Sequence, residues 1–242
     1  MSTKPLAIIA GAGTGTGLSI ARRFAQAYNV IILSRSSASI DPIVSAVEAS
    51  GGAAYGIPTD VSSEASVKAA FKDIRTKYPG SPIAAAVFNA GSLNRAPFLE
   101  AKLEDWDRTL GTQARGAFLF SQATIPLLLA SKDLQHPPTL IFTGATASVK
   151  ASVNFSVFAA GKWATRALSQ SLAKEFGPQG VHVSHAIIDG VIDVPKTEEY
   201  TFDAEDAKIS PDAIADAYWH LHTQPRTAFT WELDIRPYVE RW

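Results

Sequence analysis

Short, continuously apolar blocks alternate along this chain with longer stretches whose apolar positions recur at helical spacing. Leu6 to Ala10 is the first block and Leu18 to Tyr28 the first helical stretch. Val30 to Leu33 has no polar position, which suits a strand buried on both faces. Ile43 to Ala49 then reads as a helix, Ala53 to Ile57 as a strand, Ala65 to Tyr78 as a helix stopped by Pro79-Gly80, and Ile83 to Phe88 as a strand. Trp106 to Leu129 predicts a long helix, with Pro126 either kinking it or lying near its last turn. Leu140 to Thr143 is the fifth strand, behind His136-Pro137-Pro138. Phe155 to Phe176 is a second long helix closed by Gly177-Pro178, and Val181 to Ile188 the sixth strand. Val194 to Ser210 is charged and aperiodic. Pro211 to Leu221 is a helix with proline in its first turn, and Phe229 to Ile235 the last strand. Strands alternating with helices at this spacing predict one α/β domain over residues 1–242, built on a doubly wound, seven-stranded parallel sheet with helices on both faces. No repeat or linker interrupts it.

Composition narrows the function classes. The formal net charge is −1, so no general attraction to nucleic acid or anionic membrane is expected. There is no cysteine, which removes disulfides, thiolate nucleophiles and cysteine-ligated metals. No apolar run approaches the ~20 residues of a membrane span. Met1 to Pro5 leads into the first strand without a signal-type apolar stretch. The expectation is a cytoplasmic protein with a small-molecule substrate and no membrane, nucleic-acid or metal partner.

The first strand meets the first helix at Ala10-Gly11-Ala12-Gly13-Thr14-Gly15-Thr16-Gly17. Glycines at such a junction let the backbone approach a pyrophosphate, while the helix N-terminus offers N–H donors and positive dipole. Gly11, Gly15, Thr16 and Gly17 are therefore the expected phosphate contacts. The spacing is Gly-x-x-x-Gly-x-Gly, and with it the chain resembles the short-chain dehydrogenase/reductase family, a Rossmann fold. Asn89-Ala90-Gly91 after the fourth strand resembles that family's Asn-Asn-Ala-Gly segment, with Phe88 in place of its first asparagine. Asp60-Val61 resembles its adenine-contacting pair. Trp106 before a long helix and Phe158-x-x-x-Lys162 at the opening of another match its later landmarks, so the resemblance covers essentially the whole chain.

The second strand ends in Ser34-Arg35-Ser36-Ser37. A carboxylate there would bind a ribose 2′-hydroxyl, whereas a guanidinium among hydroxyls suits a 2′-phosphate. NADP(H) is accordingly the expected cofactor, with Ser34, Arg35 and Ser36 as its contacts.

The resemblance also implies a catalytic tetrad of Asn, Ser, Tyr and Lys, in which tyrosine exchanges a proton with the substrate oxygen. Lys162 matches the lysine, which in the family also holds the nicotinamide ribose. Phe158 stands at the tyrosine position, Ala145 at the serine and Gln113 at the asparagine. Thr143, Thr146 or Ser148 would supply a hydroxyl if the loop shifts. A positioned general acid contributes ~10²–10⁴-fold, so ordinary ketone chemistry by the usual route is disfavoured. An iminium ion or strongly activated carbonyl accepts hydride without that proton and instead calls for a nearby anion. After the sixth strand, where the family has Pro-Gly beside the nicotinamide, this chain reads Ile188-Asp189-Gly190-Val191-Ile192-Asp193. Asp189 is the candidate anion or, equally, a turn residue of the Asp-Gly type. Gly190 and Ile192 are candidate cofactor contacts.

The resemblance places a substrate lid over about 191–210 and pairs subunits through the two long helices into a homodimer or homotetramer. His182 and His185 fall on opposite faces of a strand and cannot share a metal; His220 and His222 lie near a helix end, where they can pair with its dipole. Arg115 and Arg166 suit ion pairs or subunit contacts. Phe155, Trp163, Tyr200, Phe202, Trp219 and Trp231 either wall a pocket or fill the core and an interface. Three readings stay open: an NADP(H)-dependent reductase with an atypical site, a nucleotide-scaffolded cyclase or isomerase, and a non-catalytic NADP(H)-binding sensor.

Overall fold

A computed structural model describes residues 4–131 and 133–241. Seven strands form one parallel sheet: β1 (Leu6–Ala10), β2 (Asn29–Ser34), β3 (Ala53–Pro58), β4 (Ile83–Phe88), β5 (Thr139–Thr143), β6 (His182–Ile188) and β7 (Glu232–Ile235). Their order is β3-β2-β1-β4-β5-β6-β7, every pairing being parallel. The chain winds outward in one direction through β2 and β3, then returns to build the other half from β4 onward. The topological switch point thus lies between β1 and β4, where open α/β sheets take their ligands.

The helices are α1 (Thr16–Ala25), α2 (Ser37–Ala49), α3 (Glu64–Lys77), α4 (Leu103–Leu110), α5 (Gly116–Leu129), α6 (Ser156–Phe176) and α7 (Pro211–Thr223). Alternating strand residues serve two cores. Ala7, Ile9, Ile32 and Ile141 pack beneath α1, α2 and α7. Leu6, Ile8, Ile31, Phe88 and Phe142 pack beneath α3, α5 and α6. Both faces of β1 and β4 are covered, so these strands carry no polar side chain.

Three boundaries differ from the sequence reading, each for a local reason. α2 opens at Ser37, ahead of Pro42, which stands inside it and forgoes one backbone bond. The expected helix from Trp106 starts instead at Leu103 and contains a wide π-helical turn over Gly111–Arg115 before α5. Pro126 lies in the last turn of α5. β7 begins only at Glu232, because the amide of Thr230 is held by the side chain of Gln224 at 2.8 Å.

Candidate active site

The first glycine turn is dictated by sterics. Gly11 has φ +80°, and a Cβ there would lie 2.3 Å from the Cα of Ala90. Only glycine fits, and the absence of a side chain lets β1 and β4 close beneath the loop. Gly17 likewise faces the Cα of Ala12, which a Cβ would approach to 2.6 Å. Gly15 caps α1 with no side-chain hydrogen bond and no acid in the first turn, leaving the helix N-terminus to serve an anion. The methyl Cγ1 of Val194 lies against Gly15, within 2.6 Å of where a Cβ would stand, so the segment after β6 reaches the cradle. These features fit a dinucleotide pyrophosphate.

Around the cradle, Ser34 ends β2, while Arg35 and Ser36 are exposed where α2 begins. The Ser36 N-cap makes no side-chain cap bond, so a second helix N-terminus opens beside the guanidinium. Asp60 accepts at one carboxylate oxygen from the amide and hydroxyl of Ser62, at 2.9 and 2.7 Å. That turn buries Val61 and leaves Asp60 exposed. Asn89 donates from Nδ2 to the Gly11 carbonyl at 2.9 Å, tying β4 to the glycine turn; Ala90 is buried and Gly91 exposed at the end of that strand.

Lys162 projects from the first half of α6 and is 6% exposed, with Nζ donating to the Thr143 carbonyl at 2.8 Å. Burial lowers its ammonium from the ordinary lysine range to about 8. Its Nζ lies 5.8 Å from the ring centre of Phe158, one turn earlier on the helix. Phe158 is half-buried, 6.4 Å from the Phe155 ring. Gln113 lies in the π-helical turn, which frees its carbonyl to accept from Thr165 Oγ1 on α6 at 2.7 Å. Its Nε2 donates to the Ser92 carbonyl at 3.1 Å. Gly161 makes room for it, since a Cβ there would lie 3.1 Å from both Gln113 Cβ and Nε2.

The three hydroxyls nearest Ala145 in the sequence reading all have partners. Ser148 is fully buried and accepts from the Ala145 amide at 3.0 Å. Thr143 Oγ1 donates to Asn89 Oδ1 at 3.0 Å. Thr146, next to Ala145, donates to Asp189 at 2.5 Å. Asp189 sits at the end of β6, its second oxygen 3.4 Å from Arg236, and Arg236 also pairs with Asp234. Asp189 is therefore part of an ion pair, a partner that its Asp-Gly context gave no means to foresee. Gly190 follows at φ +148°, against Pro237, and Ile192 bridges to Ile209.

Near Lys162 lies a part-buried cluster around the buried His185 imidazole. His185 Nδ1 is 3.1 Å from Glu232 Oε1, and Arg166 binds both Glu232 oxygens at 2.7 and 2.9 Å. Burial, opposed by Glu232, pushes His185 down to about 4. Burial resists ionisation of Glu232, but Arg166 and His185 outweigh it and hold the carboxyl below its usual range. Gly144 is required by this imidazole, since a Cβ there would come within 2.4 Å of His185 Nε2.

His222 departs from its helix-end reading. It is fully buried between Tyr28 and Thr139, and burial lowers it to about 3, so it carries no charge for the dipole. Trp219 joins the Phe24 and Tyr28 rings in the α1–α7 core, whereas Trp163, Tyr200 and Phe202 are exposed. Among the described residues no group of acids and histidines has the arrangement of a metal site, and no helix is long and apolar enough to cross a membrane.

A short chain dehydrogenase family model matches residues 5–205. The chain belongs to the short-chain dehydrogenase/reductase family of oxidoreductases. A short-chain dehydrogenase/reductase of Hericium erinaceus is 31% identical over 203 residues, covering 81% of this chain and 78% of that protein. The crystal structure of a short-chain dehydrogenase from Rhodopseudomonas palustris superposes with a TM-score of 0.80 at 30% identity, over 97% of this chain and 99% of that one. An alcohol dehydrogenase from Thermococcus sibiricus, complexed with 5-hydroxy-NADP, shares the fold at TM-score 0.85 and 22% identity, over 98% of each chain.

Proposed function

We propose that this protein is an NADP(H)-dependent reductase whose acceptor needs no proton from the enzyme: an imine that arrives protonated, as an iminium ion, or a strongly activated carbonyl whose alkoxide takes its proton from water. The observation that carries the reading is Phe158 one helical turn from Lys162, with Thr143 and Thr146 donating elsewhere and Ser148 fully buried. Because Thr146 gives its proton to Asp189, the oxygen beside Ala145 presents lone pairs. That oxygen accepts a hydrogen bond from an N–H⁺ and has no proton left for an alkoxide. Asp189 balances part of the charge, its pairing with Arg236 leaving a dipole rather than a bare anion.

Gly11, Gly15, Thr16, Gly17, Asn89, Ala90, Gly91 and Lys162 would hold the dinucleotide, with Asp60 and Val61 beside its adenine and Gly190 and Ile192 beside its nicotinamide. When bound, the cofactor supplies the hydride. Arg35, with Ser34, Ser36 and the N-terminus of α2, supports the 2′-phosphate preference. Residues 191–210 serve as the lid, anchored where Ile192 bridges Ile209 and Thr197 Oγ1 donates to the Ile192 carbonyl at 2.5 Å. The protein acts as a cytoplasmic homodimer or homotetramer through α5 and α6. Support for that pairing is the groove of about 910 Å³ between α3, α5 and α6, where Phe118 is 47% exposed.

Loss of the nicotinamide absorbance is to be followed with a cyclic iminium salt and with the ketone of the same ring size. The expected result is NADPH oxidation with the iminium at a rate at least tenfold above the ketone. Equal rates with both refute the reading. Turnover of substrate with no absorbance change would establish a non-redox enzyme, and nucleotide binding without turnover a sensor.

A further inference from the structure

One buried hydroxyl is absorbed by none of the roles above. Tyr218 lies on α7 with no exposed surface, and its Oη is 2.8 Å from Thr143 Oγ1. Burial raises the phenol far above its usual range, so it remains a neutral donor. A phenylalanine would fill the same core, which makes the hydroxyl itself the feature to explain.

The proton order in this chain is forced. Asn89 gives Nδ2–H to the Gly11 carbonyl at 2.9 Å, so its Oδ1 faces Thr143 and can only accept. Thr143 therefore donates to Asn89, and Tyr218 donates to Thr143. The series Tyr218, Thr143, Asn89, Gly11 runs from the α7 layer across the ends of β5 and β4 to the first glycine of the cradle. At its second member, Thr143, the backbone carbonyl receives Lys162 Nζ at 2.8 Å. Thr143 thus meets the α7 layer through its side chain and the α6 layer through its carbonyl. α7 also begins directly after the segment that covers Gly15: its N-cap is Ser210, and Ile209 bridges to Ile192.

The geometry points to Tyr218 as a positioning residue for the nucleotide cradle, holding both the Gly11 turn and Lys162 in register through Thr143. This rests on the reading of the cradle as the NADP(H) seat. Tyr218 touches neither substrate nor cofactor; it acts through Thr143.

The test uses the full chain with Tyr218→Phe, Thr143→Val, the double variant and Thr143→Ser. Hydrogen exchange of the nucleotide-free protein is read in peptides that contain Gly11 and Thr143, and NADPH affinity by titration. Tyr218→Phe is expected to raise exchange in both peptides and to weaken NADPH about fivefold, the scale of one net hydrogen bond. Peptides from β2 and α3 should be unchanged, which separates positioning from general loosening. Thr143→Val should do the same, the double variant no more than either alone, and Thr143→Ser should restore both readouts. Unchanged exchange at Gly11 and Thr143 in Tyr218→Phe, or effects of the two single variants that simply add, would overturn the proposal. Exchange that behaves as expected in a protein that binds no NADPH would sink the cofactor reading and leave the coupling standing.

Discussion

Restoring the phenol by Phe158→Tyr is the sharpest perturbation of this site. Phe158 is half-buried, its ring centre 5.8 Å from Lys162 Nζ, so a phenol oxygen would enter the field of an ammonium that titrates at about 8 and is largely charged at neutral pH. At ~5 Å and an effective dielectric of ~20, that charge favours the phenolate by about 3 kcal/mol. This is worth roughly two pKa units, bringing the phenol from ~10 towards ~8, where a general acid works well near neutrality. A positioned acid gives ~10²–10⁴-fold. Ala145 still withholds the second donor to the developing alkoxide, a contribution of about 10²-fold or more, so the lower end applies. Ketone reduction by Phe158→Tyr should rise about 10²-fold over the unaltered protein, and Ala145→Ser on top of it should add at least tenfold.

The assay is NADPH oxidation with a cyclic ketone, alongside the matching iminium salt. Iminium reduction should change little, since neither hydroxyl is asked for there. Should the unaltered protein already reduce the ketone as fast as Phe158→Tyr, another proton donor serves the site and the inference from Phe158 fails. If the double variant still binds NADPH and reduces the iminium but gains nothing on the ketone, the space beside Lys162 is not shaped for a substrate oxygen.

Arg35→Ala should weaken NADPH about tenfold or more, the loss of a charge-assisted contact, and leave NADH unchanged; isothermal titration with both nucleotides reads this directly. Gly11→Ala places a Cβ 2.3 Å from Ala90 at φ +80°, so it should unfold at least several degrees lower and lose NADPH binding. His185 and His222 titrate in the folded protein at about 4 and about 3, below the ~6.5 of an unfolded histidine. Depressed values mean that the unfolded chain takes up more protons. Stability should be full above ~6.5 and fall as pH drops towards 4, by about 3 kcal/mol from His185 alone. Urea unfolding at pH 7.5, 5.5 and 4.5 measures it, and a flat profile would contradict the buried neutral assignment.

Much of the fold was legible because β1, β2 and β4 are buried on both faces and so read as unbroken apolar runs over Leu6–Ala10, Val30–Leu33 and Ile83–Phe88. The same regularity exposed the cradle: glycines packed between a strand and a helix have no structural use unless the backbone must turn at positive φ or approach a neighbour. What stayed hidden were contacts set by tertiary geometry. Nothing around Asp189 announces Arg236, which arrives from beyond β7. Tyr218 occupies an apolar position of a helix and reads as core; only its 2.8 Å bond to Thr143 gives it another meaning. His222 lies near a helix end, yet its side of the helix faces the interior. Its tautomer follows from its neighbours: Thr139 donates to the Pro137 carbonyl, so it accepts from His222 Nδ1–H, and Nε2 accepts from Tyr28.

A buried lysine at 162 beside a phenylalanine at 158 has a physical consequence of its own. In the arrangement that the family resemblance implies, the lysine charge is balanced against a phenol that it helps to ionise; here the Phe158 ring, 5.8 Å from Nζ, carries no proton to shift. Burying an ammonium with a single carbonyl acceptor is costly, and the depression of Lys162 to about 8 is the visible part of that cost. Such a residue persists where its hydrogen bonds are needed, and the groups within its reach at the cradle are Thr143 and the open space beside Gly91, where a Cβ would lie 3.9 Å from Nζ. On the proposed reading the charge holds a ligand's hydroxyls, a binding role separable from acid catalysis. Lys162→Met should accordingly weaken NADPH about tenfold or more, by the loss of charge-assisted hydrogen bonds, while iminium turnover at saturating NADPH falls far less. A collapse of that saturated rate with affinity intact would mean that Lys162 itself delivers the proton, and the case for an acceptor that needs none would be lost.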